Sequence, residues 1–156
     1  MYTDNIRIIQ SSDLQKIAEL ENRCFTDNNA YSKKQLKYLI TKANSYCLAD
    51  VQDERIRGFI IVLFRKGTHV AGIETISVDP IFRGMGIAKK LLTEVEKEMQ
   101  LRSIKYARLE VSSGNTSAIN LYEKSGFKKI SVLKDYYTFQ YYGTNDAYRM
   151  IKYIAT

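Results

Sequence analysis

This sequence predicts an α/β (α+β) fold: one mixed, mostly antiparallel sheet flanked by helices in the order β-α-α-β-β-β-α-β-α-β-β. Three observations carry that reading. Short alternating or continuous apolar runs recur between segments whose apolar residues repeat with a helical period. A glycine-bearing turn at Arg83 to Gly86 joins one strand directly to one helix. The chain has 156 residues, 45% apolar and 26% charged, which suits a single domain over residues 1–156 with a real core.

The elements follow in order. Asn5 to Gln10 alternates apolar and polar residues as a first strand. Ser11-Ser12-Asp13 offers N-cap chemistry for a helix running to Phe25, with Leu14, Ile17, Ala18 and Phe25 on one face. Ser32 with Gln35 spells a capping box, and Leu36, Leu39 and Ile40 continue a second helix. Ser45 to Val51 and Ile56 to Phe64 read as strands joined at the polar turn Gln52 to Arg55. Ala71 to Val78 is a further strand, stopped by Asp79 and the chain's one proline, Pro80. A helix from Gly86 to Leu101 carries Leu91, Leu92, Val95 and Met99 on its buried face. Tyr106 to Ser112 is strand-like, and Thr116 to Ser125 is a short helix closed by Gly126 as its C′ residue. Ile130 to Tyr137 and Ala147 to Ile154 complete the sheet.

Composition excludes several classes of function. One histidine, His69, and two widely separated cysteines, Cys24 and Cys47, leave nothing to build a metal centre or a disulfide framework. Met1-Tyr2-Thr3-Asp4-Asn5 lacks the basic and apolar regions of a signal peptide. The longest apolar run, Gly58 to Phe64, is far short of the roughly 20 residues a membrane span needs. A reducing, cytoplasmic setting without membrane association is expected. The net charge of +7 comes from 24 basic residues mixed with 17 acids and never running beyond two in a row. Such a spread predicts a solvated basic surface rather than a nucleic-acid site, and its field favours a phosphate-rich ligand.

The strand, turn and helix at Val78 to Lys89 have the makings of an anion cradle. Gly84 and Gly86 remove side chains so that backbone N–H groups can approach a ligand, and the helix start adds partial positive charge. Arg83 adds a planar cationic fork. No G-x-x-x-x-G-K-[ST] is present, and Lys89 stands where a dinucleotide loop would have its third glycine. Taken alone, the glycine pair is equally an ordinary turn into a helix.

Arg83-Gly84-Met85-Gly86-Ile87-Ala88 resembles the [QR]-x-x-G-x-[GA] pyrophosphate loop of the GNAT acetyltransferases. Leu109 to Phe127 is similar to the L-E-V-x-x-x-N-x-x-A-x-x-L-Y-x-x-x-G-F block of the RimI and Ard1 N-terminal acetyltransferases in that superfamily. The two motifs stand in the family's order, and the resemblance covers essentially the whole chain. It implies the GNAT fold and an acetyl-CoA-dependent N-acetyltransferase. Acetyl-CoA would be co-substrate without a metal, and a protein or peptide N-terminal α-amine would be the acceptor. A lysine, polyamine or other small amine is the alternative acceptor. Association with a ribosome or an auxiliary subunit stays open.

The resemblance also implies a site. Main-chain groups of Ile76, Ser77 and Val78 would pair with the pantetheine amides, where this strand splays from Leu109 to Val111. The backbone of Gly84, Met85, Gly86, Ile87, Ala88 and Lys89 would hold the pyrophosphate, with the charged fork of Arg83 beside it. Asn115 and Ser117 would meet the cofactor at the next helix N-terminus, where both also suit helix capping. Tyr122 stands at the family's catalytic tyrosine, the acid for the departing thiolate, and would touch the cofactor as well; its alternative is plain core packing. Glu110 is the candidate base, with a solvent-facing strand carboxylate as its alternative. Glu74, on the parity of Ile76, is the runner-up. Glu21 lies on the apolar face of the first helix, either as a stripe-edge residue with its head in water or in contact with the acceptor. Phe25, Tyr31, Tyr136 and Tyr137 would wall the acceptor slot. Six of the twelve tyrosines fall at or after Tyr136, and for Tyr148 and Tyr153 sheet packing is the reading preferred. Tyr136 to Asp146 is longer than the comparable Ard1 hairpin, by an added Tyr141-Tyr142.

Overall fold

The computed structural model describes residues 5–25 and 29–155; the leading Met1 to Asp4, read above for a signal peptide, lies outside it. Seven strands form one sheet in the order β1-β2-β3-β4-β5-β7-β6. The strands are β1 (Ile6–Ile8), β2 (Ser45–Gln52), β3 (Arg55–Phe64), β4 (Val70–Val78), β5 (Tyr106–Ser112), β6 (Lys128–Leu133) and β7 (Ala147–Tyr153). Helices α1 (Leu14–Cys24), α2 (Lys33–Thr41), α3 (Ile87–Leu101) and α4 (Thr116–Lys124) complete the predicted order. Only β4 and β5 pair in parallel; the other pairs are antiparallel.

Two cores sandwich the sheet. On one face Leu91, Leu92, Val95 and Met99 of α3, with Ile119 and Tyr122 of α4, pack on Ile60, Val62, Leu109 and Val111. On the other, Ile17, Ala18 and Leu20 of α1 and Leu36 and Leu39 of α2 cover Cys47, Ala49, Phe59 and Ile61. The near-continuous apolar run of β3 thus reflects burial on both faces.

Local chemistry sets most boundaries. The Ser32–Gln35 capping box forms as expected, each side chain meeting the other's backbone N–H at 3.1 and 2.8 Å. The β2–β3 hairpin turns on Asp53 and Glu54, with φ of 51° and 62°, the left-handed pair of a tight two-residue loop. Gly126, at φ 100°, closes α4.

Two expectations are corrected. Ser11 to Asp13 forms a single 3₁₀ turn before α1. Asp13 does not cap the helix amides: it accepts from the Gln10 N–H at 2.7 Å and from Arg7 at 2.8 and 3.0 Å. The carboxylate binds the charged fork of Arg7 on β1 together with the Gln10 amide, and makes no side-chain cap bond to the α1 amides. The strand predicted to reach Tyr137 ends at Leu133. Asp135 adopts φ 51°, and its N–H is taken by the Asp146 carboxylate at 2.9 Å. Tyr136 and Tyr137 therefore lie on a loop.

Candidate active site

The sheet opens where chemistry can enter. β4 and β5 pair only at Val70↔Tyr106, Ala71↔Ala107 and Gly72↔Arg108, so from Ile73 onward the facing edges separate. A β-bulge coincides with the split: Thr75 pairs with Ile61 and Ile73 with Val62, leaving Glu74 without a partner on β3. Bulges re-aim side chains beside active sites, and this one resets the alternation of β4. Ile73 lies in the α3-side core and Ile76 and Val78 pack against it, while Thr75 and Ser77 bond to Glu21 on the α1 side. The expected shared parity of Glu74 and Ile76 is thereby corrected; the Glu74 carboxylate accepts from the Tyr31 hydroxyl at 3.0 Å.

A cavity of about 750 Å³ fills the split. Every residue singled out from the sequence lines it except Met85, which is 56% exposed.

The turn into α3 lines one part of it. Gly84 and Gly86 have φ of 82° and 79°, and a Cβ at either would meet nothing within 4 Å. Glycine is needed there for its backbone conformation, and the space in front of the helix start is open. Asp79 anchors this turn. It accepts from the Ile81 N–H at 3.2 Å, from Arg23 of α1 at 3.1 Å and from Arg55 of β3 at 3.3 Å. Its carboxyl is held below the usual range: hydrogen bonds from Ile81 and the arginines outweigh burial, which acts the other way and is the largest single influence. Arg83 folds back to donate to the Val78 carbonyl at 3.2 Å, as does the Cys24 thiol at 3.3 Å. Asn115 caps α4 by accepting from the Ala118 N–H at 3.2 Å while also lining the cavity.

The two residues read from the sequence as acid and base line the cavity from opposite faces of the sheet. Tyr122 comes from α4 on the α3 side; it is 7% exposed, and its ring meets Phe127 edge-on at 5.9 Å. Burial pushes its phenol above the ordinary tyrosine range, and no hydrogen bond contributes to that shift. Glu110 approaches from the opposite face, since Leu109 and Val111 enter the α3-side core. It is not a free surface carboxylate. Arg149, its cross-strand partner on β7, donates to it at 3.0 Å, and Arg108 stands at 3.4 Å.

The α1 side forms the remaining wall. Glu21 is 1% exposed, so its head does not reach water. It accepts from Thr75 at 2.9 Å, Ser77 at 3.2 Å and the Tyr31 N–H at 3.0 Å. Burial nonetheless raises its carboxyl above the usual range, the three donors offsetting only part of the shift. Phe25, Tyr137 and Tyr141 form a chain of rings with centroids 5.8 and 5.4 Å apart. Burial keeps the phenols of Tyr31, Tyr136, Tyr137 and Tyr141 protonated above their usual range.

The sequence reading did not assign site roles to Tyr141, Tyr142 and Arg149. The first two join the cavity because their loop folds onto β5. The Ser112 hydroxyl donates to the Tyr141 carbonyl at 2.6 Å, and a Cβ on Gly114 would strike the Tyr142 carbonyl. The density of tyrosines was the available signal. Nothing local marks Arg149, whose place depends on the β5–β7 register.

The parallel pair β4–β5 parts beside a glycine turn that opens α3, and one cavity is lined by the turn and by both strands. Residues 14–127 match the acetyltransferase (GNAT) family, and the chain belongs to that family as an N-acetyltransferase. Over 140 residues, 86% of this chain and 87% of the relative, it is 27% identical to the [ribosomal protein bS18]-alanine N-acetyltransferase of Salmonella typhimurium. A stretch of 67 residues is 43% identical to the Haemophilus ducreyi enzyme of the same name, spanning 43% of this chain and 46% of that one. Among solved structures, the ribosomal-protein-S18-alanine N-acetyltransferase of Escherichia coli superposes with a TM-score of 0.85 at 25% identity, covering 97% of this chain and 94% of that one. No helix among the described residues is long and apolar enough to cross a membrane.

Proposed function

We propose that this chain transfers the acetyl group of acetyl-CoA to the free α-amine of a protein or peptide N-terminus, and that an amino-terminal alanine is a preferred acceptor. The observation that carries the reading is the pairing of Tyr122 with Glu110 across the split: an acid and a carboxylate lining one cavity from opposite faces of the sheet. The names of the relatives supply the α-amine and the alanine.

Bound acetyl-CoA supplies a thioester carbonyl as the electrophile. The residues fit such a ligand: the open, left-handed Gly84 and Gly86 leave the amides from Gly84 to Lys89 for a diphosphate, and the unpaired edge of β4 at Ile76 to Val78 offers main-chain groups to the pantetheine. Asn115 and Ser117 bound the cavity at the start of α4. On the acceptor side, Phe25, Tyr31, Tyr136 and Tyr137 enclose the amino end, and Glu21 braces the Tyr31 backbone and β4 rather than meeting the amine. Glu110, steadied by Arg149 and Arg108, takes the proton released as the amine nitrogen bonds to the carbonyl carbon. Tyr122 gives its phenolic proton to sulfur as the C–S bond breaks. An α-amine has a pKa of about 7.7–8.0 against about 10.4 for lysine, so a modest base suffices for it.

Mass spectrometry of peptide acetylation tests the acceptor. Free alanine-starting peptides without lysine should be modified, and amino-blocked peptides containing lysine should not. The reverse pattern overturns the proposal.

A further inference from the structure

Tyr31 and Glu74 wall two spaces. One is the acceptor end of the cleft. The other is a separate hollow of about 470 Å³ lined by Tyr31, Lys34, Tyr38, Leu39, Leu63 and Glu74. The 3.0 Å hydrogen bond from the Tyr31 hydroxyl to Glu74 stands between them.

The lining is mostly aromatic and aliphatic. Leu39 is 8% exposed and Leu63 packs against the α1-side core, so both are held by the fold. Tyr38, by contrast, is 60% exposed on α2, leaving its ring free to cover an incoming group. Gln35 also borders the hollow, but its side-chain oxygen is committed to the Ser32 N–H at 2.8 Å. The space falls within the ordinary range of ligand pockets, where apolar walls bind and a few polar groups orient.

Its position limits the occupant. Glu110, proposed above to take the acceptor amine's proton, is at the cleft, and Glu74 lines both the cleft and the hollow. An extended chain advances about 3.3–3.6 Å per residue, and alternate side chains point to the same side. A chain whose amino end lies at the cleft and which leaves it past Tyr31 and Glu74 reaches the hollow within its next few residues.

We propose that this hollow is a second acceptor subsite, which takes an apolar side chain from the second to fourth residue of the acceptor. The inference rests on the acceptor-side reading of the cleft given above. Tyr38 is then a specificity-determining residue outside the catalytic centre.

The test is steady-state kinetics on alanine-starting peptides that carry leucine, phenylalanine or glycine at positions two, three and four in turn. At one of these positions the wild-type protein should prefer the apolar residue by about tenfold in kcat/KM, mostly through KM, since burying such a side chain is favourable while the chemistry is unchanged. Tyr38→Ser should remove that preference, and Tyr38→Phe should keep it; matching melting temperatures exclude a folding defect. A wild-type protein indifferent to all three positions overturns the subsite, as does a preference that survives in Tyr38→Ser. Either result leaves α-amine acetylation standing. Failure to acetylate any free α-amine peptide overturns both.

Discussion

Replacing Tyr122 by phenylalanine separates chemistry from packing. The substitution keeps the ring, its edge contact with Phe127 at 5.9 Å and its place in the α3-side core, and deletes only the hydroxyl. A buried hydroxyl with a good partner contributes around 1 kcal/mol to stability. No hydrogen bond contributes to the shifted pKa of Tyr122, so Tyr122→Phe should leave the melting temperature within a degree or two of wild type. The kinetic effect is of another size. A positioned general acid contributes about 10²–10⁴-fold, or roughly 3–5 kcal/mol of the barrier. Because the benefit arises as the C–S bond breaks, kcat should fall by that factor while acetyl-CoA affinity stays unchanged. Burial holds the phenol above its ordinary value of about 10, so the acid form persists and kcat should show no alkaline decline from this residue below that pH. Stopped-time kcat measurements, calorimetric acetyl-CoA binding and a thermal melt on one preparation decide the matter. A stable variant with near-normal kcat would remove Tyr122 from the mechanism.

Glu110→Gln should lower kcat with acetyl-CoA binding retained; if Glu74→Gln does this instead, the base is Glu74. Gly86→Glu should weaken acetyl-CoA binding by a hundredfold or more, on the order expected for a charge placed against a diphosphate. Gly86→Ala carries the same backbone strain at φ 79° without the charge, so equal losses by calorimetry in both variants would refute an electrostatic cradle. Glu21 gives a pH-dependent stability. Its folded pKa is raised by burial above the unfolded value of about 4.3, so its contribution is complete below that value and is lost as pH rises through the folded one. Relative to wild type, Glu21→Gln should therefore gain in melting temperature between pH 4 and pH 8; a variant that loses ground to wild type as pH rises contradicts the buried carboxylate.

Much of this protein was legible because its determinants are local. The Ser32–Gln35 box, the Gly126 stop and the apolar face of α3 each depend on residues a few positions apart, and each forms as read. The two family motifs marked the turn at Arg83 to Ala88 and the residues Glu110 and Tyr122, which the fold brings to one cavity. Tertiary structure decided what depends on partners distant along the chain. Asp13 left its expected cap for Arg7, and β6 stopped early because Asp146 holds the turn at Asp135. The bulge at Glu74 arises only where β4 must follow β3 while leaving β5. Glu110 meets Arg149 through a cross-strand register that no spacing encodes. Glu21 became a buried, triply bonded carboxylate because Thr75, Ser77 and the backbone of Tyr31 converge on it. A sequence states what each residue can donate, accept or bury; which partner it finds is a competition settled by the packed sheet.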